Sequence, residues 1–141
     1  DEALMLDTEG RVCEGSGENI FVVKDGVVTT PPLGQALLAG ITRATVIDLL
    51  AARGMTVHEA SIARDQLYCA DEVFLTGTAA EVTPVREIDR RQVGKGTPGQ
   101  VTRLVQDDYA KLVRGDGERS GDFCDRVRGR VDGSTRGESR A

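Results

Sequence analysis

Asp25-Gly26 lies between two β-rich runs, Asn19 to Val23 and Val27 to Thr30, and no other feature constrains the fold as tightly. An Asp-Gly pair supplies the positive φ angles that a two-residue hairpin turn requires, so the two runs are predicted to pair as antiparallel strands. Pro31-Pro32 ends the second strand and forces an extended connection through Leu33 to Ala39. From Gly40 the period of the pattern changes. Val46, Leu49, Leu50 and Arg53 fall at helical spacing, Ile47 widens the apolar stripe, and Gly54 stands where a C-terminal cap belongs, which predicts a helix over Ile41 to Arg53.

The remaining segments extend this alternation. Ala3 to Leu6 reads as a buried apolar run and Arg11 to Cys13 as its hairpin partner across Asp-Thr-Glu-Gly. Met55 to Ala60 reads as a strand with Val57 inward, Ser61 to Ala70 as a short helical segment, and Glu72 to Thr76 as a strand. Val82 to Ile88 is extended, and its Pro84 suggests an edge position or a bulge. After the turn-rich stretch Asp89 to Gly99, Val101, Leu104, Val105, Tyr109 and Leu112 mark a second amphipathic helix ending near Arg114-Gly115. Strands alternating with helices argue for an α/β fold. The stretch 115–141 is rich in arginine, acids and glycine and lacks leucine and isoleucine. It is expected to be a disordered tail, because it cannot bury enough apolar surface to offset its ordering entropy.

At 141 residues and 39% hydrophobic content the chain fits one domain, with aliphatic side chains filling its core. The formal net charge of -5 offers no overall positive field for nucleic acid. The apolar runs are far short of the ~20 residues of a membrane-spanning helix. Cys13, Cys69 and Cys124 show no paired or metal-ligand spacing, which suits a reducing, cytoplasmic setting and no metal. The first residue is Asp1, and the immediate apolar run leads us to expect a chain that begins in the middle of a fold.

Two places can receive an anion. Gly40-Ile41-Thr42-Arg43 opens the strong helix, where unpaired amides meet the positive end of the helix dipole and Thr42 adds a hydroxyl. Gly77-Thr78-Ala79-Ala80 follows a strand, and its small side chains let backbone amides approach a ligand. An ordinary helix start and a tight turn explain the same residues. Glu14 and Glu18 share a loop with Gly15 and Gly17, which gives carboxylates close access to a flat ligand or simply places them in solvent. His58 alternates with Val57 and Glu59 on a predicted strand and reads as a surface residue. No nucleophile elbow or catalytic-thiol context is present.

Taken together, Glu14-Gly15-Ser16-Gly17-Glu18-Asn19-Ile20-Phe21, Lys24-Asp25-Gly26, Thr30-Pro31-Pro32-Leu33, Gly40-Ile41-Thr42-Arg43 and Phe74 to Pro84 occur in an order that resembles the class IV aminotransferases of fold type IV. The resemblance spans residues 1 to about 114, and within the family the two loops are most similar to the branched-chain aminotransferases. It implies a C-terminal, cofactor-binding large domain over 1–114. The implied fold is a mixed sheet curling into a pseudo-barrel with two main helices, like that of the D-amino-acid aminotransferases.

The implied cofactor is pyridoxal 5'-phosphate. By position, Glu14 would pair with its pyridine nitrogen, Leu38 would pack on one ring face, and the Gly17-Glu18 peptide would lie on the other. Ile41, Thr42 and Thr78 would hold the phosphate, and the amides of Thr78 and Ala79 would receive a substrate carboxylate. The implied reaction is transamination of leucine, isoleucine and valine with 2-oxoglutarate in branched-chain amino-acid biosynthesis, in a homodimer whose other partners are amino-acid and 2-oxo-acid substrates. The only lysines, Lys24, Lys95 and Lys111, do not match the Schiff-base lysine. That residue is expected upstream of Asp1, so no catalytic residue is expected in this chain and the chain alone should be inactive. The alternatives are a D-amino-acid transaminase or aminodeoxychorismate lyase of the same fold, or a non-catalytic phosphate-binding or interaction module.

Overall fold

In the computed structural model, which describes residues 2–116 and 120–123, strands and helices alternate along the chain. The order is β1 (Leu4–Leu6), β2 (Arg11–Gly15), β3 (Asn19–Lys24), β4 (Val27–Thr30), α1 (Ile41–Ala52), β5 (Val57–Glu59), β6 (Ile62–Ala63), α2 (Arg64–Tyr68), β7 (Glu72–Gly77), β8 (Glu81–Pro84), β9 (Glu87–Ile88), β10 (Arg91–Gln92), α3 (Gln100–Arg114) and α4 (Ser120–Phe123). Asp25 and Gly26 both take positive φ, 49° and 77°, and close the β3–β4 hairpin with Lys24 opposite Val27. Helix α1 stops as its sequence predicts: Gly54 has φ +74°, and the Met55 amide donates to the Leu50 carbonyl at 3.0 Å. Helix α3 stops in the same way at Gly115, φ +80°, where the Asp116 amide donates to the Lys111 carbonyl at 3.0 Å.

The main sheet has five strands in the order β5-β4-β3-β7-β8, antiparallel except for the β4–β5 pair, which is parallel. A second sheet, β1-β2-β6, and the β9–β10 hairpin complete the strands. The fold is therefore mixed α/β with two main helices. Among the described residues no ladder joins the two larger sheets, so the expected pseudo-barrel does not close. Pro84 ends β8, an edge strand, where its missing amide costs no ladder bond.

Strands β3 and β7 are covered on both faces, which is why they read as continuous apolar runs. Ile20, Val22, Val73 and Leu75 face a core shared with Val12, Ile62 and Leu67. Phe21, Val23 and Phe74 face the opposite way, into a core built with Val46 and Leu50 of α1 and Val101 and Val105 of α3. The Phe21 and Phe74 rings stack there with centroids 5.0 Å apart. Arg53 clamps the two helices together through a bidentate pair with Asp108, at 2.8 and 2.6 Å.

Several local expectations need correction. Met5 and Leu6 are exposed, and only Leu4 of β1 packs against the core. Ile62 and Ala63 form a strand paired with β2 before the helix begins at Arg64. The extended run Val82 to Ile88 breaks between β8 and β9, and the turn-rich stretch after it contains the small β9–β10 hairpin. Within the stretch read as a tail, Ser120–Phe123 forms the short helix α4 against α3, with Ser120 buried. Residues 117–119 and 124–141 lie outside the described residues, and the expectation of disorder there is left with them. No helix among the described residues is long and apolar enough to cross a membrane.

Candidate functional site

The helix-facing surface of the main sheet turns from apolar to polar at one end. Residues two apart along a strand share a face, so Asn19 follows Phe21 and Val23 on β3, while Thr76 follows Phe74 on β7. Asn19 and Thr76 are direct cross-strand partners, and both are buried. The N-terminus of α1 meets the sheet at this point. Between them lies a cavity of about 300 Å³, lined by Glu14, Gly17, Glu18, Leu38, Ile41, Thr42 and Thr78, together with Ser16, Asn19, Ala39, Gly40, Thr76 and Gly77. Of the residues expected to touch cofactor or substrate, Ala79 is absent from this lining and is exposed in the turn beside Thr78; Gly15, Arg43 and Ala80 of the candidate motifs do not line it either.

One wall is suited to an anion. Gly40 is extended, with φ -70° and ψ 135°, and no side chain caps the helix that follows. Helical geometry therefore leaves the first-turn amides of Ile41, Thr42 and Arg43 without intrahelical acceptors. No acidic residue stands in that turn to neutralise the dipole. Thr42 is itself buried, and the buried Thr76 hydroxyl has no hydrogen-bond partner. A buried hydroxyl without a partner is uncommon in a finished structure and fits a site that expects a polar guest. Across the cavity, the turn carrying Thr78 is held by a 2.8 Å hydrogen bond from the Thr83 hydroxyl to the Ala80 carbonyl.

The cavity is also lined by Glu14. Its Oε2 accepts hydrogen bonds from Asn19 Nδ2 at 3.1 Å and from the Leu38 amide at 3.0 Å. Asn19 Nδ2 also donates to the Leu38 carbonyl at 2.9 Å, closing a three-cornered network. Leu38 and Ile41 hold apolar side chains 73% and 83% exposed on the rim, a surface that a flat ring would cover. Glycine leaves room at two approaches, tightly at Gly77 and decisively at Gly40. A Cβ on Gly40 would lie 2.1 Å from Asn19 Oδ1, and one on Gly77 would lie 3.1 Å from Glu18 Cγ. The Glu18 carboxylate folds back onto the Gly17 amide at 3.2 Å. The Ser16 amide and hydroxyl both donate to Glu2, and the hydroxyl bond is the main cause of a Glu2 pKa below the ordinary carboxylate value.

None of the three lysines lines this cavity. Lys24 is at the far end of β3, where a 3.1 Å hydrogen bond to Asp71 raises its pKa. Arg43, buried in the first turn of α1, donates to Glu59 at 2.6 Å and to the Pro31 carbonyl at 3.0 Å. His58 is exposed, as its strand position predicts. Among the described residues no group of three His, Cys, Asp or Glu side chains could hold a metal. A larger groove of about 870 Å³, lined by Leu4, Leu67, Leu75 and Ile88 among others, shares only Glu18 with the site and has none of the first-turn amides.

Sequence reasoning missed Asn19 and Thr76. The available signal was a polar residue at the end of each of two doubly covered strands, in phase with the phenylalanines. It became interpretable only with the register that places one opposite the other.

The amino-transferase class IV family matches residues 1–88. The chain is 56% identical over 115 residues to the branched-chain-amino-acid aminotransferase of Pseudomonas aeruginosa, covering 82% of this chain and 37% of that protein. It is 47% identical over 126 residues to that of Escherichia coli strain K12, covering 89% and 41%. The solved branched-chain amino acid aminotransferase from Thermobaculum terrenum, in its PLP-form (holo-form), is similar with a TM-score of 0.84 and 42% identity, over 87% of this chain and 40% of that one. The chain thus spans about two fifths of the length of the relatives it matches. The family match over more than half its length shows that the chain belongs to the class IV amino-transferases.

Proposed function

We propose that this chain is the cofactor-holding part of a longer pyridoxal-phosphate-dependent aminotransferase acting on leucine, isoleucine and valine with 2-oxoglutarate. The observation that carries the reading is a single cavity lined at once by open first-turn amides, threonines, exposed aliphatic side chains and Glu14. A phosphorylated, flat, basic heterocycle needs these environments together. The relatives' names and the PLP-form of the Thermobaculum terrenum enzyme support the same assignment.

In this reading the Ile41 and Thr42 amides and the Thr42 and Thr78 hydroxyls hold the phosphate at the positive end of the α1 dipole. Leu38 would cover one face of the ring and the Gly17-Glu18 peptide the other, since all three line the cavity. The Glu14 carboxylate stands beside the ring nitrogen and favours its protonated form, with Oε2 steadied by Asn19 and the Leu38 amide. When bound, the cofactor supplies an electron sink for the pair left as an amino acid loses its Cα proton. The Thr78 and Ala79 amides receive the substrate carboxylate and orient that Cα–H bond. Lys24, Lys95 and Lys111 all stand away from the cavity, so the Schiff-base lysine, which moves the Cα proton, is assigned to the part of the whole protein outside these 141 residues. The chain alone is then inactive. The whole protein is read as a cytoplasmic homodimer.

The test is binding. The 141-residue chain should quench or shift the absorption of pyridoxal 5'-phosphate saturably, inorganic phosphate should compete, and Thr78→Ala should weaken both ligands. Absence of phosphate-competable binding would sink the reading.

A further inference from the structure

We propose that Asn19 is the positioning residue for the ring end of the site, which deepens the functional reading above and rests on it. Its carboxamide is buried, 4% exposed, and a single nitrogen, Nδ2, serves two acceptors: Glu14 Oε2 at 3.1 Å and the Leu38 carbonyl at 2.9 Å. The Leu38 amide returns to the same carboxylate oxygen at 3.0 Å. Residues 14, 19 and 38 come from the end of β2, the start of β3 and the connection before α1, and no backbone ladder joins the last of these to the sheet at this point. The carboxamide therefore adds a second tie between the loop bearing Leu38 and the strand bearing Glu14, beside the direct bond from the Leu38 amide. With Oε2 committed twice, the carboxylate can rotate only by breaking two hydrogen bonds, so its free oxygen is held in one direction before any ligand arrives.

The other half of the carboxamide explains Gly40. An ideal Cβ on Gly40 would stand 2.1 Å from Asn19 Oδ1 and 3.3 Å from its Cγ. The backbone at the start of α1 thus passes directly against Asn19, and only glycine leaves room for it. Gly40 has φ -70°, which any residue can adopt, so the need for glycine here comes from the carboxamide and not from the backbone angle. The Asn19 carboxamide donates to Glu14 and Leu38 and not to the Thr42 or Thr78 hydroxyl. Its hydrogen bonds go to the ring end, and toward the phosphate end it packs against Gly40 without donating to a phosphate-holding group.

The experiment compares two ligands on the 141-residue chain: pyridoxal 5'-phosphate, which needs both ends, and inorganic phosphate, which needs one. Asn19→Leu keeps the volume and removes the donor. It should weaken pyridoxal 5'-phosphate binding about tenfold, the scale of losing one positioning hydrogen-bond pair, and leave phosphate affinity within about twofold. Hydrogen exchange at the Leu38 amide should quicken in the same variant. Gly40→Ala pushes the carboxamide aside without removing it and should quicken Leu38 exchange too, so it decides the matter should Asn19→Leu fail to fold. Equal loss of both ligands in a folded variant would make Asn19 a general structural residue and overturn the proposal. Unchanged cofactor affinity, or an unchanged Leu38 amide in either folded variant, would overturn it as well. If the parent chain binds phosphate but not pyridoxal 5'-phosphate, the functional reading fails by itself, and the Leu38 exchange rates still decide whether Asn19 holds the loop.

Discussion

The carboxylate of Glu72, at the start of β7, caps helix α3: it accepts hydrogen bonds from the amides of Val101 and Thr102 at 3.1 and 2.8 Å and from the Thr102 hydroxyl at 2.6 Å. The strand that ends in the Thr78 turn is thereby fixed at its opposite end to the helix packed across it. Gly99 makes room for the cap, since a Cβ there would lie 2.0 Å from Glu72 Cδ. Glu72→Ala should destabilise the fold by about 1–3 kcal/mol, through the loss of the cap and of a charge at the helix N-terminus. Gly99→Ala should be destabilising as well. Urea unfolding of the three proteins checks both, and a midpoint unmoved by Glu72→Ala would show the cap to be dispensable.

Thr78 is exposed in its turn, so Thr78→Ala should leave the unfolding transition in place. Loss of one ligand hydroxyl should weaken inorganic phosphate and pyridoxal 5'-phosphate together, by about tenfold. Calorimetric titration with each ligand tests this. Equal affinities in parent and variant would remove Thr78 from the phosphate site.

Glu14→Gln preserves an oxygen acceptor for Asn19 and the Leu38 amide but removes the negative charge. In the complete enzyme it should therefore fold normally, retain cofactor, and lose turnover by about tenfold or more, because the interaction with the ring strengthens as charge develops there. Single-turnover rates and cofactor retention separate the two effects. Parental turnover would show that Glu14 is only a structural residue of β2.

Asp7 accepts hydrogen bonds from the amides of Glu9 and Arg11, each at 2.9 Å, and from Arg11 Nε at 2.8 Å. These bonds, led by the Arg11 amide, lower its pKa to about 2. The folded value lies below the ~3.9 of an unfolded aspartate. Its contribution is therefore fully present above about pH 4 and is lost as the pH falls through about 2. The β1–β2 turn should loosen across that window, and Asp7→Asn should abolish the response. The Arg11 amide shift and exchange rate, followed from about pH 5 to about pH 2, report it directly.

Elements with local determinants were legible in the sequence. The Asp25-Gly26 hairpin and the ends of α1 and α3 at Gly54 and Gly115 follow from residues a few positions apart. Strand β6 was not legible, because Ile62 and Ala63 become a strand by pairing with Val12 and Arg11, some fifty residues earlier. The β9–β10 turn was hidden for another reason: Asp89 and Arg90 take positive φ, 51° and 63°, without the glycine that usually signals such a turn. Exposure of Met5 and Leu6 likewise depends on what packs against β1. In the site, Glu14, Thr42 and Thr78 were legible through the order of the motifs. Asn19 and Thr76 depended on cross-strand register, which periodicity does not supply.

That register has a consequence for how the chain can vary. Asn19 and Thr76 stand one pleat beyond the stacked Phe21 and Phe74, on the same face of the same two strands. A single-residue insertion between the ring and its polar neighbour in either strand reverses the facing of everything on one side of it. Such a change would send either the phenylalanine or the cavity-lining residue to the wrong side of the sheet, so the cavity and the core share one phase along β3 and β7. Length changes should therefore accumulate in the loop 31–39 and in the stretch 89–99, while these two strands stay fixed in length between Asn19 and Val23 and between Glu72 and Thr76.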